Sequence, residues 1–167
     1  MKKLASGLIA GALLLSLTAG VASADSSVHN LPSVPPVNNT NVIVPFGQDK
    51  PGTNASTHDL SVSSYNYQVQ KVGYEVFTDK WLTGATSIKV QVLNWALVNN
   101  GGGATNKLII SIYSANGLVA NKQINPNNTL SHTFTGLNKS TKYYVKFSVD
   151  TGNDNTYSFN GAISSVK

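Results

Sequence analysis

Leu108-Ile109-Ile110-Ser111-Ile112-Tyr113-Ser114-Ala115-Asn116-Gly117-Leu118-Val119-Ala120-Asn121-Lys122-Gln123-Ile124 is the stretch on which the fold turns. Successive side chains of an extended strand point to opposite faces, so Leu108, Ile110 and Ile112 share one side and Ile109, Ser111 and Tyr113 the other. A second apolar run opens at Leu118. Asn116 and Gly117 between the runs both tolerate a positive φ, so the two runs are expected to close a β-hairpin.

The same pattern extends in both directions. Val72, Tyr74 and Val76 alternate with Gly73, Glu75 and Phe77, and Ile88, Val90 and Val92 alternate with Lys89, Gln91 and Leu93. Further strands are expected at Thr129–Thr135, Thr141–Val149 and Asn155–Ile163. Turn-forming clusters separate them at Thr83-Gly84-Ala85, Gly101-Gly102-Gly103, Asn125-Pro126-Asn127 and Thr151-Gly152-Asn153. No segment after Val21 repeats at the helical period. Seven or eight short antiparallel strands with one apolar face each must bury those faces against one another, which predicts an all-β sandwich, immunoglobulin-like or jelly-roll-like, over residues 60–167.

Gly136-Leu137-Asn138-Lys139-Ser140-Thr141-Lys142-Tyr143-Tyr144-Val145-Lys146-Phe147 resembles the tyrosine corner of fibronectin type III and other immunoglobulin-like domains. The resemblance puts Leu137 at the buried leucine and Tyr143 at the tyrosine whose hydroxyl bonds back to the backbone. From Tyr74 to Ile163 the chain is also similar to bacterial pre-peptidase C-terminal domains, with their Leu-x-Ile-x-Ile-Tyr, Tyr-Tyr-Val-x-Phe and Thr-Tyr-Ser-Phe strands. It departs from them in lacking the Asp-rich segment before the Leu-rich strand. What the resemblance implies is a non-catalytic accessory module with no active site to carry over.

Ahead of the strands, Met1-Lys2-Lys3, an apolar run from Leu4 to Val21 and Ala22-Ser23-Ala24 form the three parts of a cleaved export signal. Residues 1–24 are therefore expected to be removed and the secreted, extracellular chain to begin at Asp25. The short, lysine-led signal points to a bacterial source. No cysteine follows the apolar run and no apolar tail ends the chain, so no membrane or wall anchor is expected. Five of the six prolines lie between Asp25 and Asp59, among Asn, Ser and Thr, which predicts an extended, poorly ordered arm over 25–59. Within it Asn41-Val42-Ile43-Val44-Pro45-Phe46 is apolar enough to lie as an edge strand.

Composition narrows the function classes. The chain has no cysteine, so an exported domain must be held by its core alone. It has no arginine, and its net charge of +5 falls to +3 with Lys2 and Lys3 removed. Nucleic-acid recognition, which favours the bidentate guanidinium, is excluded as an expectation, while anionic cell-wall polymers remain compatible.

Candidate chemistry is sparse. His29 and His58 lie in the polar arm. His132 shares a face with Leu130 and Phe134, and a hydrolase would need it as a base near Asp150 or Asp154, with no nucleophile elbow in the sequence. A glycosidase pair would have to join Glu75 to Asp79, Asp150 or Asp154. Asp150, Asn153 and Asp154 in Asp150-Thr151-Gly152-Asn153-Asp154-Asn155 are the candidate calcium ligands, though Asp, Asn and Gly are also ordinary turn formers. Gly101-Gly102-Gly103 lacks the lysine and helix of a phosphate loop and is expected to be a flexible connection.

The aromatics are the stronger lead. Trp81 in Asp79-Lys80-Trp81-Leu82-Thr83, with Tyr113 and Tyr144 on outward strand faces, is expected to offer flat rings on which an amphipathic ligand stacks. The competing reading makes Trp81 a cap on the core and Tyr144 a cross-strand filler. Trp95 is expected in the core.

Three functions remain open: a secreted non-enzymatic β-sandwich that binds a cell surface, polysaccharide or extracellular protein; a matrix protein that self-associates through edge strands, since only 11% of residues are charged; and a small secreted hydrolase.

Overall fold

The computed structural model describes residues 44–102, 107–149 and 154–167. Among these described residues eleven strands form two sheets packed as a β-sandwich: β1 (Val44–Pro45), β2 (Thr57–Asp59), β3 (Tyr65–Val72), β4 (Glu75–Phe77), β5 (Trp81–Thr83), β6 (Ile88–Asn99), β7 (Leu108–Ser114), β8 (Gly117–Ile124), β9 (Ser131–Phe134), β10 (Tyr143–Val149) and β11 (Thr156–Ser165). One sheet runs β1-β3-β11-β6-β9. The other runs β2-β5-β10-β7-β8, with β4 beside β5 on the same edge of β10. The strands expected from Ile88 onward are β6 to β11, whereas the alternation expected over Val72–Phe77 straddles the end of β3 and β4; β1, β2, β4 and β5 have two or three residues each.

The inner faces follow the period of two. Tyr65, Tyr67 and Val69 on β3, Ile88, Val90 and Val92 on β6, and Phe159 and Ile163 on β11 meet Leu108, Ile110 and Ile112 on β7 and Val145, Phe147 and Val149 on β10. Phe46, Tyr67, Phe147 and Phe159 form a chain of ring contacts, with centroids 4.9 Å apart for Phe46–Tyr67, 5.2 Å for Tyr67–Phe147 and 5.0 Å for Phe147–Phe159. Burying tyrosine requires a partner for each hydroxyl. Tyr67 donates to the Gln91 carbonyl at 2.7 Å and Tyr65 to the Asp79 carboxylate at 2.5 Å. Trp95 packs on this core, stacked on Tyr157 at 4.3 Å, as expected.

Three sequence expectations change. The hairpin of β7 and β8 is present, but only Gly117 takes a positive φ (120°), and Asn116 does not. The Val72-Tyr74-Val76 alternation breaks because the chain leaves one sheet after Val72 and joins the other at Glu75, which leaves Tyr74 63% exposed. The stretch 44–59, assigned to the arm, joins both sheets: Val44 and Pro45 pair with Tyr67 and Gln68, and Thr57–Asp59 pairs in parallel with Trp81–Thr83. Proline is tolerated there because an edge strand can do without its N–H. Residues 1–43, with the expected export signal, His29 and the rest of the expected arm, lie outside the described residues.

The corner after Phe134 has the geometry expected of it. Gly136 turns the chain with φ 73°, Leu137 is buried, and the Tyr143 hydroxyl accepts the Asn138 backbone N–H at 2.9 Å. That bond ties the turn to the start of β10 and so sets where Tyr144, the next residue, stands.

Candidate functional site

Register brings three distant aromatics together. Leu82 pairs with Tyr143 on the inner face, so its neighbours Trp81 and Tyr144 both point outward. Tyr144 pairs with Tyr113 on β7, and the two rings stack with centroids 5.1 Å apart and planes 5° apart. Trp81 meets Tyr144 edge-on at 5.5 Å. Sequence reasoning had named all three residues, and the fold gathers them in one cleft of about 530 Å³. Its walls are the Lys50–Thr53 loop on one side and the Ser114–Gly117 turn on the other. That volume is in the usual range for ligand pockets.

Their presentation differs from the flat, exposed rings that were expected. Trp81 and Tyr144 are each only 7% exposed, although neither belongs to the central core. The reason is the 50–59 stretch. The Trp81 indole N–H donates to the Gly52 carbonyl at 2.8 Å, and the Trp81 backbone N–H donates to the Ser56 carbonyl at 3.0 Å. A loop read as a polar arm thus lies over the outer face and buries the indole. The Tyr113–Tyr144 spacing is close to the distance between neighbouring strands, about 4.8 Å. Two parallel rings at strand spacing each turn one face toward the other across the strand gap, so the pair offers fewer free faces than two separate rings would.

Beside the cleft Lys146 is ion-paired to Glu75 at 3.0 Å, with its ammonium 5.5 Å from the centre of the Tyr113 ring. Partial burial works against the ammonium charge, but the Glu75 hydrogen bond and charge outweigh it and raise its pKa. The Tyr144 phenol is also raised, first by burial and then by the neighbouring Tyr113 and Glu75, so it remains a protonated donor in neutral solution.

The other candidates are placed as follows. Asp150 and Asn153 lie outside the described residues. Asp154 is exposed, while Asn155 is buried and structural. Its side-chain Oδ1 accepts the Gly101 N–H at 2.9 Å and its Nδ2 donates to the Tyr157 hydroxyl at 3.2 Å. Gly101 is therefore held in place, unlike the flexible connection expected; Gly103 is outside the described residues. Glu75 is engaged by Lys146 and Asp79 by Tyr65, so each carboxylate of the would-be glycosidase pair has its own cationic or hydroxyl partner.

His58 was expected in solvent, but it sits half-buried on β2 against the Tyr65 ring. Its Nε2 lies 3.0 Å from the Ser63 carbonyl and 3.5 Å from Ser63 Oγ. A carbonyl only accepts, so Nε2 carries the proton there and cannot take one from the serine. His132 stands on β9 edge-on to Phe134 at 4.6 Å, where burial and then the charge of Lys122 lower its pKa. Among the described residues no three His, Asp or Glu side chains come together as a metal site would need.

Comparison with protein-family models, curated proteins and solved structures finds no match to this chain. Function therefore has to be read from the cleft.

Proposed function

We propose that this chain is a secreted, non-enzymatic β-sandwich that holds an extracellular polymer in the cleft between the Lys50–Thr53 loop and the Ser114–Gly117 turn. One observation carries the reading: side chains from three strands, Trp81, Tyr113 and Tyr144, converge on the outer face of a sheet and line one half-open cleft. Outer sheet faces ordinarily meet water with polar side chains. An aromatic strip there, kept accessible at Tyr113, is the kind of surface that ligand sites use. The signal-like first 24 residues and the cysteine-free, sparsely charged composition fit a bacterial extracellular module.

The hydrolase reading has less to support it, since His58 faces a carbonyl and His132 has no carboxylate partner among the described contacts. Self-association through sheet edges also has less support. β1, β2 and β9 are short, and the longer edge β8 carries a bulge and an exposed lysine, Lys122. Both devices discourage edge pairing.

The test is retention of the mature chain on insoluble cell-wall material and on immobilised extracellular proteins. Tyr113→Ala should abolish retention while thermal stability changes little. Equal retention of wild type and Tyr113→Ala would overturn the assignment of the cleft.

A further inference from the structure

The cleft's chemistry goes further than a generic binding surface. Its polar side chains are Lys50, Thr53, Ser114, Tyr113 and Tyr144, with the Trp81 N–H already taken by Gly52; among the described residues no carboxylate or carboxamide side chain lines it. Ammonium groups only donate, and hydroxyls all carry a proton to give. Sugars present many hydroxyl donors of their own and need matching acceptors, and their apolar faces need a free ring face. Here the only side-chain acceptors among the described lining residues are the hydroxyls of Thr53, Ser114, Tyr113 and Tyr144, and the two tyrosines each turn one face toward the other.

Extended proline-rich peptide has the opposite character. Proline has no N–H, so its backbone offers acceptors alone. The polyproline II helix leaves those carbonyls free, and its rings wedge between upright aromatic ridges. The protein already sets a proline of its own at this cleft. Pro51 is buried at the cleft, and the next residue, Gly52, gives its carbonyl to the Trp81 indole. That segment covers the Trp81 side and leaves the Tyr113 side toward Ala115 and Gly117 open.

We propose that the cleft's ligand is an extended, proline-rich polypeptide in the polyproline II conformation, seated against Tyr113 and Tyr144 beside the Lys50–Thr53 loop. The proposal rests on the reading of the cleft as the binding site. A preformed extended ligand loses little conformational freedom on docking, so a small cleft suffices for it.

The experiment titrates decaproline into the full mature chain by calorimetry, with a Gly/Ser decapeptide and a neutral soluble polysaccharide as the other arms. The expected result is saturable binding of decaproline at about 1 mM or tighter, with no heat from the Gly/Ser peptide. Ala115→Lys, at an exposed position on the cleft lip, should weaken it at least tenfold without lowering the melting temperature. Binding that survives Ala115→Lys unchanged would overturn the proposed seat. Binding of the polysaccharide in place of decaproline, lost in Ala115→Lys, would overturn the peptide while leaving the cleft as the functional site. No binding of either, together with unaltered cell-wall retention in Tyr113→Ala, would remove both.

Discussion

Trp81 separates a structural indole from a ligand platform, and the fold assigns it a measurable weight. Trp81→Ala removes a side chain that is 7% exposed, its edge-on contact with Tyr144 and its hydrogen bond to the Gly52 carbonyl. Deleting a buried large aromatic costs about 3–5 kcal/mol. Because Trp81 lies under a loop and not in the central core, that loop can settle into part of the space, so the lower end, about 3 kcal/mol, is expected. Trp81→Phe keeps a ring and loses the N–H, so it should cost about 1–2 kcal/mol, the scale of one hydrogen bond and a partial loss of packing. Urea unfolding read by far-UV circular dichroism measures both, since it does not depend on the tryptophan being removed. Iodide quenching of a Trp95→Phe variant, in which Trp81 is the sole emitter, should find the indole shielded. If Trp81→Ala costs less than about 0.5 kcal/mol, as surface substitutions do, or iodide reaches Trp81 freely, the argument that the 50–59 stretch buries it is wrong.

Other expectations test the remaining joints of the fold. Tyr143→Phe leaves the Asn138 N–H without its acceptor and should cost about 1–3 kcal/mol in the same unfolding assay; no loss would mean that the corner does not hold β10. Gly161 lies so close to the β6 backbone that an added Cβ would sit 1.8 Å from the Gln91 carbonyl oxygen and 2.8 Å from the Tyr67 hydroxyl. Gly161→Ala should therefore cost about 1–3 kcal/mol by overpacking and lower the melting temperature, whereas an unchanged melt would contradict the β6–β11 register. His132 has a folded pKa below its ordinary 6.5, so the unfolded chain binds that proton more readily. Stability should then decline as pH falls below 6.5 toward the lowered value, and His132→Gln should flatten that window. The lowered Asp59 carboxyl, held by the Ser61 hydroxyl and N–H, acts separately: its contribution is present above 3.8 and lost as pH falls through its folded pKa.

How much was legible in the sequence depends on the range of the interaction. The long strands β6, β7, β10 and β11 were readable because each carries its own period of two, a local property of extended chain. β3 carried the same signal in Tyr65, Tyr67 and Val69 against Asn66, Gln68 and Gln70, and reading it would have placed the first full strand. The Tyr143 corner was readable because its partners are five residues apart. β2 and β5 gave no period, and the alternation over Val72–Phe77 hid a change of sheet before β4. Val44 and Pro45 fall in the expected edge strand, but proline and asparagine made the rest of the stretch up to Asp59 look like tail.

The candidate site divides along the same line. The sequence by itself named Trp81, Tyr113 and Tyr144 and put the two tyrosines on outward faces, because facing is set within each strand. Only the tertiary structure decided that the three meet, that Tyr113 and Tyr144 stack on each other, and that a loop about thirty residues upstream of Trp81 covers its indole. It likewise made Asn155, the residue that ends the Asp/Asn-rich turn, a buried brace for Gly101. Alternation determines which way a side chain points, but strand pairing between remote segments determines what it meets, and one residue of register moves every partner to the other face.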